Sequence, residues 1–189
     1  MNLPSRKELA ATMTGVRGLL RFDPRALAHF DNSHRGFWMS FWAAALLFPL
    51  AALQAVHNTA AYPPGSLWRY LAYQLVAYAL SWVAFPFIML WLADHLGRRE
   101  RYFGYFAAYN WFQIVETVVF TLIALLGWSG VLPTEVLGLL DMMLGGAFLG
   151  FEWFIARHAL AIEPGAAALL VAIDFLLGLV ISWGATNLP

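Results

Sequence analysis

The sequence predicts an all-α integral membrane bundle of five transmembrane helices, preceded by an amphipathic helical arm over residues 1–36. Three observations carry this. First, five apolar stretches fall at about 37–58, 67–93, 103–127, 134–157 and 165–184. At ~1.5 Å per residue each is long enough to cross a hydrocarbon core of about 30 Å. Second, the chain is 61% hydrophobic and only 12% charged, which is outside the range of water-soluble domains. Third, the basic residues alternate in side. Arg6, Lys7, Arg17, Arg21, Arg25 and Arg35 precede the first stretch, Arg98, Arg99 and Arg101 follow the second, and Arg157 closes the fourth. Only Arg69 falls on the other side. The positive-inside rule then predicts a cytoplasmic N-terminus and a C-terminus outside.

The arm is read from its capping and its periodicity. Ser5 and Glu8 have capping-box spacing, so a helix is expected to start there. Leu9, Met13, Val16 and Leu20 recur as one apolar face, with Lys7, Thr14, Arg17 and Arg21 opposite. A basic amphipathic helix beside a span is suited to the anionic inner leaflet, where each basic residue gains roughly 1 kcal/mol. Docking on its own bundle, or on a partner protein, are the other uses open to it. Asp23 and Pro24 predict a second helix start, with Leu27 and Phe30 turned toward membrane or bundle.

The spans follow in order. The loops are short, one of them built on Pro63, Pro64 and Gly65, so sequential spans are expected to pack as antiparallel neighbours. Trp38, Trp42, Trp68, Tyr70, Tyr102, Trp128, Trp153 and Trp183 gather near span ends as an aromatic belt. Pro49 and Pro86 lie inside the first and second spans, where each frees a carbonyl. Gly146 and Gly150 give a G-x-x-x-G in the fourth span, predicting close helix packing inside the bundle or, alternatively, between protomers.

Acids within the spans are the sharpest functional pointers, because each costs about 2.5–3.5 kcal/mol to insert. They are Glu116, Asp141, Glu152 and Asp174, and no Lys or Arg lies at comparable depth. Tyr102, Tyr105, Tyr109, Gln113 and Glu116 form a stripe from the basic end to the middle of the third span, flanked by Asn110 and Thr117. Tyr70, Tyr73, Gln74 and Ser81 form a shorter one in the second span, and Asp141, Gly145, Phe148 and Glu152 share a face of the fourth. Either these stripes line a path with a carboxylate at mid-depth, or they are packing faces whose acids hydrogen-bond across the bundle. Glu152 is the least informative of the four, since Arg157 and the loop arginines are near enough in sequence to pair with it. The candidate polar site is therefore Glu116, Gln113, Asn110, Asp174 and Asp141.

Several chemistries find no support. There is no cysteine, hence no thiolate, disulfide or iron–sulfur site. Gly127, Trp128, Ser129 and Gly130 match a rhomboid-type G-x-S-G, but that chemistry needs a base within the membrane. His29, His34, His57, His95 and His158 all lie in the arm, loops or span ends. No metal-ligand spacing, phosphate loop or dinucleotide fingerprint occurs, so no cofactor or metal is expected. Net charge is zero, so nothing recruits nucleic acid. Asp94, Gly97, Arg98 and Arg99 look like the loop between the second and third helices of major-facilitator transporters, where an acid caps a helix and arginines bridge helix termini.

The layout resembles the Yip family of small five-span proteins, with a cytoplasmic arm and a Gly-containing basic turn after the second span. The matching residues are Trp91 to Tyr109, together with Arg21, Phe22, Asp23 and Pro24, then Phe30, Asp31, Gly36, Phe37 and Trp38. The resemblance implies a protein that organises membranes or partner proteins and supplies no catalytic residues. The leading expectation is thus a non-enzymatic scaffold or partner-binding protein, with membrane lipids and a membrane-protein partner or second copy as its contacts. The alternative is a small proton- or cation-linked transporter using the intramembrane carboxylates. Arginine outnumbers lysine ten to one, which suits a GC-rich bacterial genome and hence a bacterial inner membrane.

Overall fold

The computed structural model describes residues 3–59 and 66–187, so the turn expected at Pro63, Pro64 and Gly65 lies outside the described residues. The described chain is all-α. Helix α1 spans Arg6–Leu19, α2 His34–Ser40, α3 Trp42–Asn58, α4 Leu67–His95, α5 Tyr102–Trp128, α6 Thr134–Leu160 and α7 Pro164–Asn187. Short 3-10 turns cover Pro24–His29 and Arg99–Arg101. Five units, counting α2 with α3 as one, are long and apolar enough to cross a membrane.

The first span is broken where no proline or glycine demands it. The break falls at Phe41, between α2 and α3. Ser40, fully buried, turns its hydroxyl back onto the Phe37 carbonyl at 2.7 Å and accepts 2.8 Å from the Asn110 amide. A hydroxyl bonded to its own helix competes with the backbone ladder, and Asn110 holds that arrangement from α5. By contrast α3 and α4 run as single helices through Pro49 and Pro86.

The expectation that sequential spans pair does not hold throughout. Contacts run from α3 to α5, α5 to α6, α6 to α7 and α7 to α4, then more thinly from α4 back to α3. Helices α4 and α5 meet mainly near the basic turn, where the Tyr102 hydroxyl donates 2.9 Å to the Pro86 carbonyl. Further along, α7 takes the place beside α4. A short loop constrains only the ends it joins, and packing elsewhere follows side-chain fit. The result is a ring of five helices.

The core is concentrated at the basic end. Phe85, Met89, Tyr105, Phe106, Ile155 and Leu160 are all essentially inaccessible there. The basic turn is closed by a left-handed Gly97 at φ 63°, with the Arg98 N–H returning 2.8 Å to the Ala93 carbonyl. This is the Schellman ending that glycine permits without strain. Arg99 pairs with Asp94, and Arg98 Nε reaches 3.3 Å to the Ala161 carbonyl at the end of α6. The loop therefore bridges the ends of α4 and α6.

The arm folds back on this end. The capping box is present: Ser5 N–H donates 2.7 Å to Glu8, and Ser5 Oγ accepts 3.3 Å from Glu8 N–H. The Ser5 backbone N–H first, and the Ser5 hydroxyl next, hold the Glu8 carboxyl below its ordinary range, with Arg35 adding a 2.7 Å ion pair. Asp23 caps the turn at Pro24–His29, as its spacing predicts. The face of α1 that packs on the rest of the chain lies beside the apolar face read from periodicity. It is Thr12, Gly15, Val16 and Leu19, whereas Leu9, Met13 and Leu20 stay exposed to the surroundings of the bundle. The two sets are offset by roughly a quarter turn. Periodicity detects apolar residues only, and the close-packing positions here are Gly15 against the Phe30 ring and Gly18 against Ala26. Lys7, Arg17 and Arg21 face outward, beside the exposed apolar stripe. Phe22, at a left-handed φ of 54°, stacks at 4.4 Å on Phe151, and this fastens the arm to α6.

Candidate functional site: an intramembrane carboxylate cavity

All five long helices line one cavity of about 410 Å³. From α5 come Tyr109, Asn110, Gln113, Glu116 and Thr117, from α6 Gly145 and Glu152, and from α7 Asp174. The stripe on α5 therefore does face inward, and the structure brings Glu116, Gln113, Asn110 and Asp174 together. The spacing reaches this result because residues three and four apart share one helix face.

The polar atoms are distributed unevenly. The Tyr109 hydroxyl donates to Asp174 Oδ2 at 2.5 Å. Gln113 Nε2 donates to Glu152 Oε1 at 3.4 Å, a long contact. Glu116 Oε2 is buried and has no hydrogen-bond partner among the described residues. Asn110 donates its amide N–H to Ser40 and so supports the backbone break. Among the described residues no lysine or arginine lines the cavity. Among the described residues the ion pairs are Arg35–Glu8, Arg99–Asp94 and Arg101–Glu100, all at the surface.

Three site expectations differ from the arrangement observed. Asp141 shares a face with Glu152 but does not line the cavity and is exposed. It lies eleven residues, or about 16 Å, before Glu152 on α6. The cavity closes short of it. Glu152, set aside in sequence reasoning as a partner of Arg157, is the most buried of the acids at 8% accessibility. Five residues on a helix turn the chain through about 140°, so Arg157 points elsewhere and lies 5.2 Å over the Trp153 ring. Gly146 and Gly150 likewise do not mediate close packing within the chain, since an added Cβ at either meets nothing within 4 Å. The close approaches are at Gly15, Gly18, Gly36 and Gly104 instead.

Sequence reasoning missed Tyr78 and Trp82 of α4. Both line the cavity, and the Tyr78 hydroxyl donates 2.6 Å to the Ala44 carbonyl of α3. Tyr78 sits four residues beyond Gln74 and three before Ser81, so the α4 stripe could have been extended to it. Three carboxylates, aromatic faces and amide groups, with no fixed cation, form a site able to hold a positive charge by Coulomb attraction and ring quadrupoles. Among the described residues no group of His, Cys, Asp and Glu has metal-binding geometry. No family model, curated protein or solved structure matches the chain.

Proposed function

We propose that this is a small membrane transporter that binds a proton or small cation at Glu116, Glu152 and Asp174. The observation that carries the reading is the shared cavity: acids from three different helices converge on one space with no basic residue to neutralise them. A purely structural acid would be expected to have its oxygens satisfied across the bundle, and the unpartnered Glu116 Oε2 departs from that.

The test is flux in liposomes containing the purified full chain, with methylammonium uptake and dye-reported proton entry as probes. Wild type is expected to move at least one of them. Glu116→Gln keeps the side-chain shape and removes the charge, so flux should fall about tenfold or more, corresponding to ~1.4 kcal/mol, at unchanged thermal stability. Wild-type protein inert to both probes would overturn the reading.

The membrane-organising role implied by the Yip-like resemblance is the other reading. It draws on the open surface at Gly146 and Gly150, which leaves room for a partner helix or a second copy. Inert liposomes together with chain-to-chain crosslinks at that face would favour it. In either case the arginine distribution supports a cytoplasmic N-terminus in a bacterial inner membrane. Exposed Lys7, Arg17 and Arg21, beside Leu9, Met13 and Leu20, suit contact with anionic lipid. Reporter fusions after Asn32 and within residues 96–101 are expected to read as cytoplasmic, and fusions after Leu188 as periplasmic. A cytoplasmic signal from the C-terminal fusion would refute the orientation.

A further inference from the structure

A second, larger cavity of about 950 Å³ lies between α3, α4 and α7. Its polar lining includes Gln54, His57 and Asn58 at the end of α3, Gln74 early in α4, and Ser182 near the end of α7. These positions belong to the end of the bundle away from the basic turn. The two cavities are adjacent: Tyr78, Ser81, Gly178 and Ile181 line both. On the other side of the carboxylates, toward the basic end, Phe85, Met89, Tyr105 and Phe106 fill the interior and are at most 2% accessible. Toward the end away from the basic turn a second cavity therefore adjoins that of the acids, whereas the basic end is packed shut.

We infer that the larger cavity is the entry vestibule of the carboxylate cavity, and that small cations reach Glu116, Glu152 and Asp174 through the neck at Tyr78, Ser81, Gly178 and Ile181. The cation chemistry rests on the function proposed above, whereas the route rests on the shared lining alone. The vestibule carries no acid or base of its own apart from His57, so it does not select by charge. Selection belongs to the three carboxylates beyond the neck. Gly178 sets the neck's width. A Cβ built there meets nothing within 4 Å, so a larger side chain fits without displacing its neighbours and occupies the passage. Tyr78 is fixed on the opposite wall by its hydrogen bond to Ala44.

The chain has no cysteine, so single cysteines report cleanly. Thr117→Cys places a thiol in the inner cavity and Ser182→Cys places one in the vestibule. Full-length variants in liposomes are exposed to membrane-impermeant methanethiosulfonates, one bearing trimethylammonium and one sulfonate. The cationic reagent is expected to modify Thr117→Cys about tenfold faster than the anionic one, because acids lining a low-dielectric cleft concentrate counter-charge. Ser182→Cys should show little charge preference. Adding Gly178→Leu should slow modification of Thr117→Cys by about tenfold or more by narrowing the pore, with Ser182→Cys unchanged. Ile181→Phe fills the same neck and gives the same reading where Gly178→Leu does not accumulate. Thr117→Cys modified equally fast with and without the filled neck overturns the route, and equal rates for the two charges overturn the cation preference. Loss of flux in wild type with neck-dependent labelling intact would defeat the transport reading and leave the route standing.

Discussion

On the proposed cation-transport reading, Glu152→Gln is expected to reduce flux by about two orders of magnitude while leaving the protein folded. Glu152 is the most buried acid of the cavity and has no basic partner among the described residues. Removing one member of a desolvated charge interaction costs about 2–5 kcal/mol, and ~2.7 kcal/mol is a hundredfold. Glutamine keeps the volume and an acceptor for the Gln113 amide, so stability should change little. Glu152→Leu is the informative contrast. It deprives Gln113 of its acceptor within a partly buried site, a loss of about 1–3 kcal/mol. Flux assays in liposomes and thermal unfolding in detergent separate the two variants. Full flux in Glu152→Gln would remove the residue from the site.

Gly15→Leu is expected to detach the arm. A Cβ at Gly15 would lie 2.7 and 2.8 Å from atoms of the buried Phe30 ring and 3.2 Å from the His29 Cβ. The ring is held between α1 and the bundle and has little room to yield. Overpacking of this kind costs about 1–3 kcal/mol, and each 1.4 kcal/mol raises the detached population tenfold. Trypsin cleavage at Arg17, Arg21 and Arg25 should accelerate correspondingly, because proteolysis follows the open population when closing is fast. The five-helix ring should remain, since its contacts do not depend on α1. Unchanged cleavage would show that the arm is held elsewhere, for instance by Phe22 on Phe151.

Much of the architecture was legible in the residues because its causes are local. Hydropathy over twenty or more residues finds each long helix, since an apolar stretch of that length has one economical structure in lipid. The capping box at Ser5 and Glu8 and the turn at Asp23 and Pro24 are satisfied within three or four residues, so spacing alone locates them. The inward stripe from Tyr102 to Glu116 is visible for the same reason: helical periodicity fixes which residues of one helix share a face.

What spacing does not contain is which faces meet. The ring order α3, α5, α6, α7, α4 is set by side-chain fit across helices far apart in sequence, and no local pattern encodes it. That order promoted Glu152 into the cavity, left Asp141 outside, and joined Tyr78 of α4 to Gly178 of α7 at one neck. It also turned α1 by a quarter turn, because the arm docks through glycines that a hydrophobicity pattern does not register. Hydropathy and charge along the chain account for five apolar helices, a basic end and a set of costly acids within the spans. That three of those acids line one cavity follows from packing between helices, and not from the periodicity within any one of them.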